Sequence, residues 1–349
     1  MNKKLYNLYN KEQLIQKLNE ARENYTTISF YKYHKIENPN WFRDFLYTMF
    51  SNLDVLGRVY LAEEGINAQI AVTNTKLEEF QKQLFDIDFL NNIRLNLAVE
   101  EFGHSFYKLK IKVRHKIVAD GINDPTFDPS NSGVHVNAEE FNQLVERPET
   151  IIVDMRNHYE SEIGHFKNAI TPDVVTFRES LPIITEQLDK YKDRPIVMYC
   201  TGGIRCEKAS AYFKHEGFTD VYQLNGGIIN YAREVQSHGF ENKFIGKNFV
   251  FDERLGERIS NEIISRCHQC GNLCDTHANC KNEHCHILFL QCPECSIKYD
   301  ECCSQKCVDY LHLSADKKEE LKGKISFNGS KFSKGRYKAL GIDDHLDLT

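Results

Sequence analysis

The segment Met198-Tyr-Cys-Thr-Gly-Gly-Ile-Arg-Cys-Glu-Lys-Ala-Ser210 constrains this chain more than any other, because it makes a strand, a tight turn and a helix meet at one cysteine. Pro195-Ile-Val-Met-Tyr199 is a short apolar run with β-branched content, the pattern of an interior strand of a parallel sheet. Glu207 to Phe213 carries helix formers, and Gly217 marks the stop. Between them Thr201, Gly202, Gly203 and Ile204 must curl tightly, with glycine where a side chain would be excluded. A loop wrapped this way aims backbone N–H groups at one point, and the helix N-terminus adds partial positive charge there. Cys200 occupies that point, with Arg205 beside it. A free thiol titrates near pH ~8.5, whereas one at a helix N-terminus beside a cation falls to roughly 3.5–7.5, so Cys200 is expected as a thiolate at neutral pH. The plainer alternative, an inert cysteine ending a strand, explains neither the glycine pair nor the arginine.

This loop resembles the active-site loop of the rhodanese superfamily, in which the cysteine carries a persulfide. Related phosphatases place the arginine six positions after the cysteine; here Arg205 follows Cys200 by five, a smaller cradle suited to sulfur or a similarly small group. Ile151-Ile-Val-Asp-Met-Arg156, Glu160 and Ile163-Gly-His-Phe-Lys-Asn-Ala-Ile170 match the superfamily's first signature, and Asn225-Gly-Gly-Ile-Ile-Asn-Tyr231 its second. The resemblance covers residues 133–243 and implies an α/β domain with a parallel sheet. Asp154 and Arg156 are read as pinning the loops around the cysteine, and Glu160 and His165 likewise as structural.

At 349 residues the chain is too long for one core, and an α/β multidomain protein is expected. Residues 1–25 read as a helical N-terminal extension. Strands over Thr27–Tyr33, Gly57–Ala62, Ala68–Val72 and Lys108–Val113, with helices over Trp41–Met49 and Lys76–Leu84, give the order βαββαβ, a ferredoxin-like α+β domain over 26–120. A linker over 121–132 leads into the rhodanese-like domain. Along Lys108-Leu-Lys-Ile-Lys-Val-Arg114 the cations Lys108, Lys110, Lys112 and Arg114 alternate with apolar residues and share one sheet face, and Lys116 extends the stripe. Such a stripe either tracks RNA phosphates or is a solvated strand face. The hairpin Glu63-Glu-Gly-Ile-Asn67 needs only Gly65 and Asn67 for its turn, which leaves the glutamates as solvated turn residues.

Of twelve cysteines, all but Cys200 and Cys206 fall between 267 and 307. No sustained apolar segment opens the chain or could span a bilayer, so a cytoplasmic protein with no membrane partner is expected. In that reducing compartment abundant cysteine points to metal or redox chemistry rather than disulfides. Cys267-His-Gln-Cys270 and Cys292-Pro-Glu-Cys295 are knuckles that let two thiolates reach one tetrahedral ion. With Cys274, Cys280, Cys285, Cys302, Cys303 and Cys307 there are more thiols than two closed zinc sites need. Structural Zn2+ over 244–316 is the main reading, with Cys267, Cys270, Cys280, Cys285, Cys292, Cys295, Cys302 and Cys307 as ligands, although spacing alone does not assign the pairing. An iron–sulfur cluster is the competitor, but no four-cysteine run has the usual ferredoxin spacing. Residues 317–349 form a basic tail with Phe327, Phe332 and Tyr337 interleaved, which either packs on the body or grips single-stranded bases. The net charge of −6 neither advertises nor excludes a polynucleotide partner.

The whole order, with Ala62-Glu-Glu-Gly-Ile-Asn67, Lys112-Val-Arg-His-Lys-Ile-Val118, the Cys200 loop, Phe251-Asp-Glu-Arg-Leu-Gly-Glu-Arg258 and the cysteine array, resembles the tRNA uridine(34) hydroxylase family, UPF0176. Ala68 departs from the glycine expected there. The resemblance implies O2-dependent 5-hydroxylation of the wobble uridine in a tRNA anticodon stem-loop, with Cys200 as the catalytic cysteine. A thiolate adding to uridine C6 makes C5 enolate-like. Alternatively an oxidised Cys200, as sulfenic acid or persulfide, delivers the oxidising equivalent. In both, Arg205 and the loop N–H groups stabilise the anion, while Cys206 either resolves an oxidised Cys200 or simply packs. No flavin, haem or non-haem iron signature is present, so the sequence names no electron donor. Two other classes compete: a persulfide-carrying sulfurtransferase, and a zinc-ribbon adaptor whose rhodanese-like part only binds.

Overall fold

The computed structural model describes residues 5, 9–21, 23–100, 104–329, 337–338 and 341–346. Helix α1 (Lys11–Ala21) precedes a sheet built from β1 (Tyr25–Tyr33), β2 (Leu56–Ala62), β3 (Gly65–Thr73), β4 (Asn96–Leu97) and β5 (Leu109–Val113) in the order β4-β1-β3-β2-β5. Helices α2 (Pro39–Asn52) and α3 (Leu77–Phe85) join its strands. Period-two alternation sorts the two sheet faces. Ile28, Phe30, Val59, Leu61, Ile66, Ala68, Ile70 and Ile111 form one core with Phe42, Leu46 and Phe50 of α2 and Phe80 and Leu84 of α3. The opposite face carries Ser29, Tyr31, Arg58, Tyr60, Asn67 and Gln69. Ala68 lies wholly within the core.

Lys108–Val113 is not the strand that closes the expected βαββαβ order. The two-residue β4 takes the place beside β1, antiparallel to it, and β5 is a further strand at the far edge, parallel to β2 with Arg58 in register with Lys110. Two residues are too few to show alternation, so β4 leaves no sequence signal.

The central domain holds a parallel sheet in the order β6 (Val134–Val136), β10 (Val221–Leu224), β9 (Ile196–Tyr199), β7 (Ile151–Asp154). Its helices are α4 (Ala138–Val145), α6 (Phe177–Leu188), α7 (Ile204–His215) and α8 (Gly227–His238), and the short α5 (His158–Ser161) follows β7. Strand β9 is apolar throughout because both faces are covered. Ile196, Met198 and Cys200 pack with Leu181, Ile184 and Phe213, while Val197 and Tyr199 pack with Phe141, Ile228 and Tyr231. Gly217, at φ +91°, ends α7 as expected.

Strand β8 (Gly164–Phe166) pairs with β11 (Phe244–Asn248), which pairs with β12 (Glu257–Arg258). The cysteine-rich unit follows, with the hairpin β13 (His277–Asn279) and β14 (Leu288–Leu290) and helices α9 (Pro293–Lys298), α10 (Gln305–Leu311) and α11 (Ala315–Glu320). In the tail, Phe327 stacks edge-on against Tyr310, and Tyr337 lies flat against Phe289 and donates its hydroxyl to the Cys303 carbonyl at 3.2 Å. These two aromatics therefore pack on the body, and Phe332 lies outside the described residues. Among the described residues no helix is long and apolar enough to cross a membrane.

Candidate active site

Cys200 directly follows β9 and lines a cavity of about 650 Å³. One wall is the polar face of the N-terminal sheet, with Ser29, Tyr31, Arg58, Tyr60 and Gln69; another is the loop Cys200–Arg205; a third is the segment from Val250 to Glu257. Across the sheet–loop boundary Tyr31 donates to Glu207 at 3.0 Å, Tyr33 to the Ile204 carbonyl at 3.3 Å and Asn96 to the Gly202 carbonyl at 3.5 Å. The cavity is thus built between domains.

The loop is shaped by its glycines and by the second glycine pair downstream. Gly203 sits at φ +98°, and a Cβ there would meet the Tyr31 hydroxyl at 2.8 Å. Gly227, at φ +66°, lets α8 approach so closely that a Cβ would lie 2.5 Å from the Cys200 carbonyl. That approach allows Ile228 and Ile229 to donate their N–H groups to the carbonyls of Cys200 and Thr201 at 3.0 and 3.2 Å. The signature at Asn225 therefore fixes the backbone of the Cys200 loop.

The thiol is buried, and its Sγ accepts the Gly203 N–H at 3.1 Å. Burial works against ionisation. The Cys206 thiol, the Arg205 charge and the N–H groups of Cys206 and Arg205 outweigh it and bring Cys200 down from the ordinary 9.0 to about 6. Burial and the neighbouring Cys200 push Cys206 the other way, well above 9.0. The surroundings thus favour the thiolate at Cys200 and the protonated thiol at Cys206.

Arg205 does not face Cys200 alone. Its guanidinium forks onto Glu160 at 2.6 and 2.7 Å, both groups being buried. Burial raises the Glu160 pKa, but Arg205 and Arg156 overcome it and hold the carboxyl below its ordinary value. Asp154 and Arg156 form a second buried pair. Arg156 places Nε 2.9 Å and Nη2 2.6 Å from the two Asp154 oxygens and donates to the Gly164 carbonyl at 2.6 Å. Glu160 thus orients Arg205, an oriented role that its place in the upstream signature did not disclose.

The chain matches the family described as UPF0176 acylphosphatase like domain over residues 25–117, the Rhodanese-like domain over 137–234 and Rhodanase C-terminal over 245–308. It is 52% identical over 347 residues, 99% of its length and 97% of the relative's, to a Photorhabdus laumondii protein named tRNA uridine(34) hydroxylase. This chain belongs to the tRNA uridine(34) hydroxylase family. Proteins of that name from Pectobacterium carotovorum, 52% identical with 94% of each chain covered, and Salmonella typhimurium, 55% identical with 88% of this chain and 89% of the relative covered, are equally similar.

In this member of the tRNA uridine(34) hydroxylase family eight of the other ten cysteines gather into two groups of four thiols, Cys267, Cys270, Cys292 and Cys295, and Cys280, Cys285, Cys303 and Cys307, each with all sulfurs within 4.8 Å of one another. Sulfur pairs at 3.6 Å (Cys270 with Cys292, Cys285 with Cys303) and 3.7 Å (Cys303 with Cys307) match the edge of about 3.8 Å that a tetrahedron with Zn–S bonds of ~2.3 Å requires. Cys302, expected as a ligand, is outside both groups, and Cys303 takes its place. Cys302 instead offers its carbonyl to Gln269 and Gln291, at 3.1 Å from each.

The cationic stripe lies on the solvent-facing side of β5. Lys108, Lys110 and Arg114 are exposed, and Lys112 is half-buried. Arg58, which no motif singled out, joins it in register with Lys110 and also lines the cavity. Partial burial, then Lys112, Lys108 and Arg58, lower the Lys110 pKa, as expected of crowded cations. Lys116 leaves the stripe to bind Asp120 at 2.5 Å. Glu64 is not a solvated turn residue: it pairs with the buried Lys208 of α7 at 2.7 Å and accepts the Ile117 N–H at 2.7 Å. Asp120 also pairs with Lys208. The hairpin is thereby tied to the helix that follows Cys200.

Proposed function

We propose that this chain hydroxylates C5 of uridine 34 in tRNA with O2 as the oxidant and Cys200 as the reacting thiolate. The observation that carries the reading is a thiolate-prone cysteine lining an interdomain cavity, in a chain whose relatives at 52–55% identity are named for that reaction. Thiolate addition to C6 moves the ring electrons to C5, which then bonds to one oxygen atom. Loss of the C5 proton and departure of the thiolate restore the 5,6 double bond. Replacing C5–H by C5–OH removes two electrons from the ring. The second oxygen atom leaves as water, with two electrons and two protons from an external donor. In this scheme Arg205, oriented by Glu160, and the Gly203 N–H stabilise Cys200 as anion, and Asp154 and Arg156 hold the surrounding loops. Cys206, the proton-bearing neighbour, is a donor to the thiolate rather than a second nucleophile.

The stripe of Lys108, Lys110, Lys112 and Arg114, extended into the cavity by Arg58, suits the phosphates of the anticodon stem-loop. The N-terminal sheet is read as a ferredoxin-like plan with β5 appended. Both four-thiol groups fit structural Zn2+, which would fold the C-terminal unit against β8 and β11 and take no part in the chemistry at Cys200. A cytoplasmic site of action follows from a tRNA substrate and unpaired thiols.

The test is mass spectrometry of tRNA nucleosides from a host lacking its own uridine hydroxylation, complemented with the protein or with Cys200→Ser. Return of 5-hydroxyuridine or its alkylated derivatives only with the intact protein supports the proposal. Persulfide transfer from Cys200 to an acceptor without any oxygenated nucleoside would replace it with a sulfurtransferase.

A further inference from the structure

Segment Phe251-Asp-Glu-Arg-Leu-Gly-Glu257 contributes a wall of the cavity whose polar groups the chemistry at Cys200 does not use. Asp252 and Arg254 repeat the geometry of Asp154 and Arg156, with Nε 2.9 Å and Nη2 2.6 Å from the two carboxylate oxygens. Arg254 then reaches Glu257 Oε1 at 2.7 Å and the Glu100 carbonyl at 2.7 Å. Oε1 also accepts the Val99 N–H at 3.1 Å. Glu257 is fully buried, lines the cavity, and its Oε2 has no hydrogen-bond partner among the described residues. Asn248, its register partner on β11, is turned to Arg156 at 3.5 Å.

A buried carboxylate oxygen without a donor is costly, and native structures keep such groups for a ligand or for chemistry. The charged groups facing Glu257 are Arg254 and Asp252. Burial raises its pKa to about 7, with Asp252 adding to the rise and Arg254 opposing it. A donor arriving on Oε2 would supply what the protein leaves out. At its pairing edge uracil offers one donor, N3–H, set between two carbonyl oxygens, whereas the donor of cytosine, N4–H2, lies one position away. In cytosine N3 is an acceptor.

We propose that Glu257 makes the cavity selective for uracil over cytosine, its free Oε2 accepting the N3–H of the flipped base while Arg254 and the Val99 N–H fix Oε1. This rests on the reading of the cavity as the uridine site. Glu257 is a specificity residue and takes no bond-making part. The ionised form is the acceptor, so selectivity is full well above pH 7 and declines as the pH falls through about 7 and Oε2 gains a proton. Hydrogen-bond recognition of this kind discriminates strongly because the wrong base leaves a buried polar group unpaired.

The experiment measures equilibrium binding of the full-length protein to three anticodon stem-loop RNAs identical except at position 34: uridine, 3-methyluridine and cytidine. At pH 8 both substituted RNAs should bind at least about ten-fold more weakly than uridine. The uridine-to-cytidine ratio should shrink between pH 8 and pH 6. In Glu257→Gln, Arg254 and the Val99 N–H hold the amide oxygen at the Oε1 position and turn an NH2 group towards the base. The ratio should then collapse or reverse, with no dependence on pH in this range. If that variant does not fold, the wild-type comparison of the three RNAs still decides. Equal binding of all three, with 5-hydroxyuridine still formed, overturns the role of Glu257 and leaves the hydroxylase reading in place. Failure to bind any of them, with tRNA left unmodified, overturns both.

Discussion

The molecule uses cysteine in two ways, and the surroundings decide which. Around Cys200 there is one further thiol, a cation at the start of α7 and a set of converging N–H groups, with an open cavity above the sulfur. In the C-terminal unit eight of the ten sulfurs each face three others, and the backbone N–H groups of Cys292 and Cys303 support Cys267 and Cys280 at 3.4 Å. A lone thiolate beside a cation and a cavity suits a nucleophile, whereas four thiols converging on one point suit a metal ion. Abundance of cysteine therefore says little until the count of sulfurs around each point in space is known.

That contrast breaks most visibly at the metal groups. Cys303→Ser should reduce bound zinc from two ions per chain to one and unfold the unit locally, because structural zinc contributes on the order of 10 kcal/mol to such a fold. Cys302→Ser should keep both ions. Elemental analysis with native mass spectrometry distinguishes the two, and loss of an ion in Cys302→Ser would disprove the assignment of the second group. The next largest effect belongs to Cys200→Ser. It should lower 5-hydroxyuridine formation by about 10³-fold or more while leaving zinc content and thermal unfolding unchanged. A variant that loses activity together with its zinc would mean the two kinds of cysteine are not separable.

The same contrast explains what was legible in the sequence. Everything that makes Cys200 special within the loop is local: strand, glycines, Arg205 and helix start fall within a dozen residues, so the α/β core and the loop could be read directly. The two four-thiol groups are interleaved along the chain, each taking one pair from 267–285 and one from 292–307. Adjacent Cys302 and Cys303 are both fully buried, and their spacing does not say which of them completes the group. Long-range partners were equally hidden. Glu160 on Arg205, Glu64 on Lys208 and Glu257 on the Val99 N–H are carboxylates whose roles come from what folds onto them. The quoted motifs contained all three residues without disclosing their partners.

Glu160 sharpens the comparison from the nucleophile side. Glu160→Gln removes the charge that balances buried Arg205, which should destabilise the protein by about 3 kcal/mol. The uncompensated guanidinium would then act more strongly on Cys200, pushing its pKa further down. Urea unfolding measures the first effect. A change below about 1 kcal/mol would mean the fork is not a buried pair in solution.

The smallest effect is the titration of Cys200 itself. Ultraviolet absorbance of the thiolate, taken as the difference between wild type and Cys200→Ser, removes the contribution of the metal groups and of Cys206. The thiolate exists above its pKa, so the difference should appear as pH rises through about 6 and be complete near neutrality. Arg205→Ala should move the inflection upward, since the cation that favours the anion is gone. An inflection near the free-thiol value of ~8.5 in the wild type would mean that burial prevails over Arg205 and the N–H donors. Cys200 would then resemble the inert buried cysteines that the geometry of the loop otherwise sets it apart from.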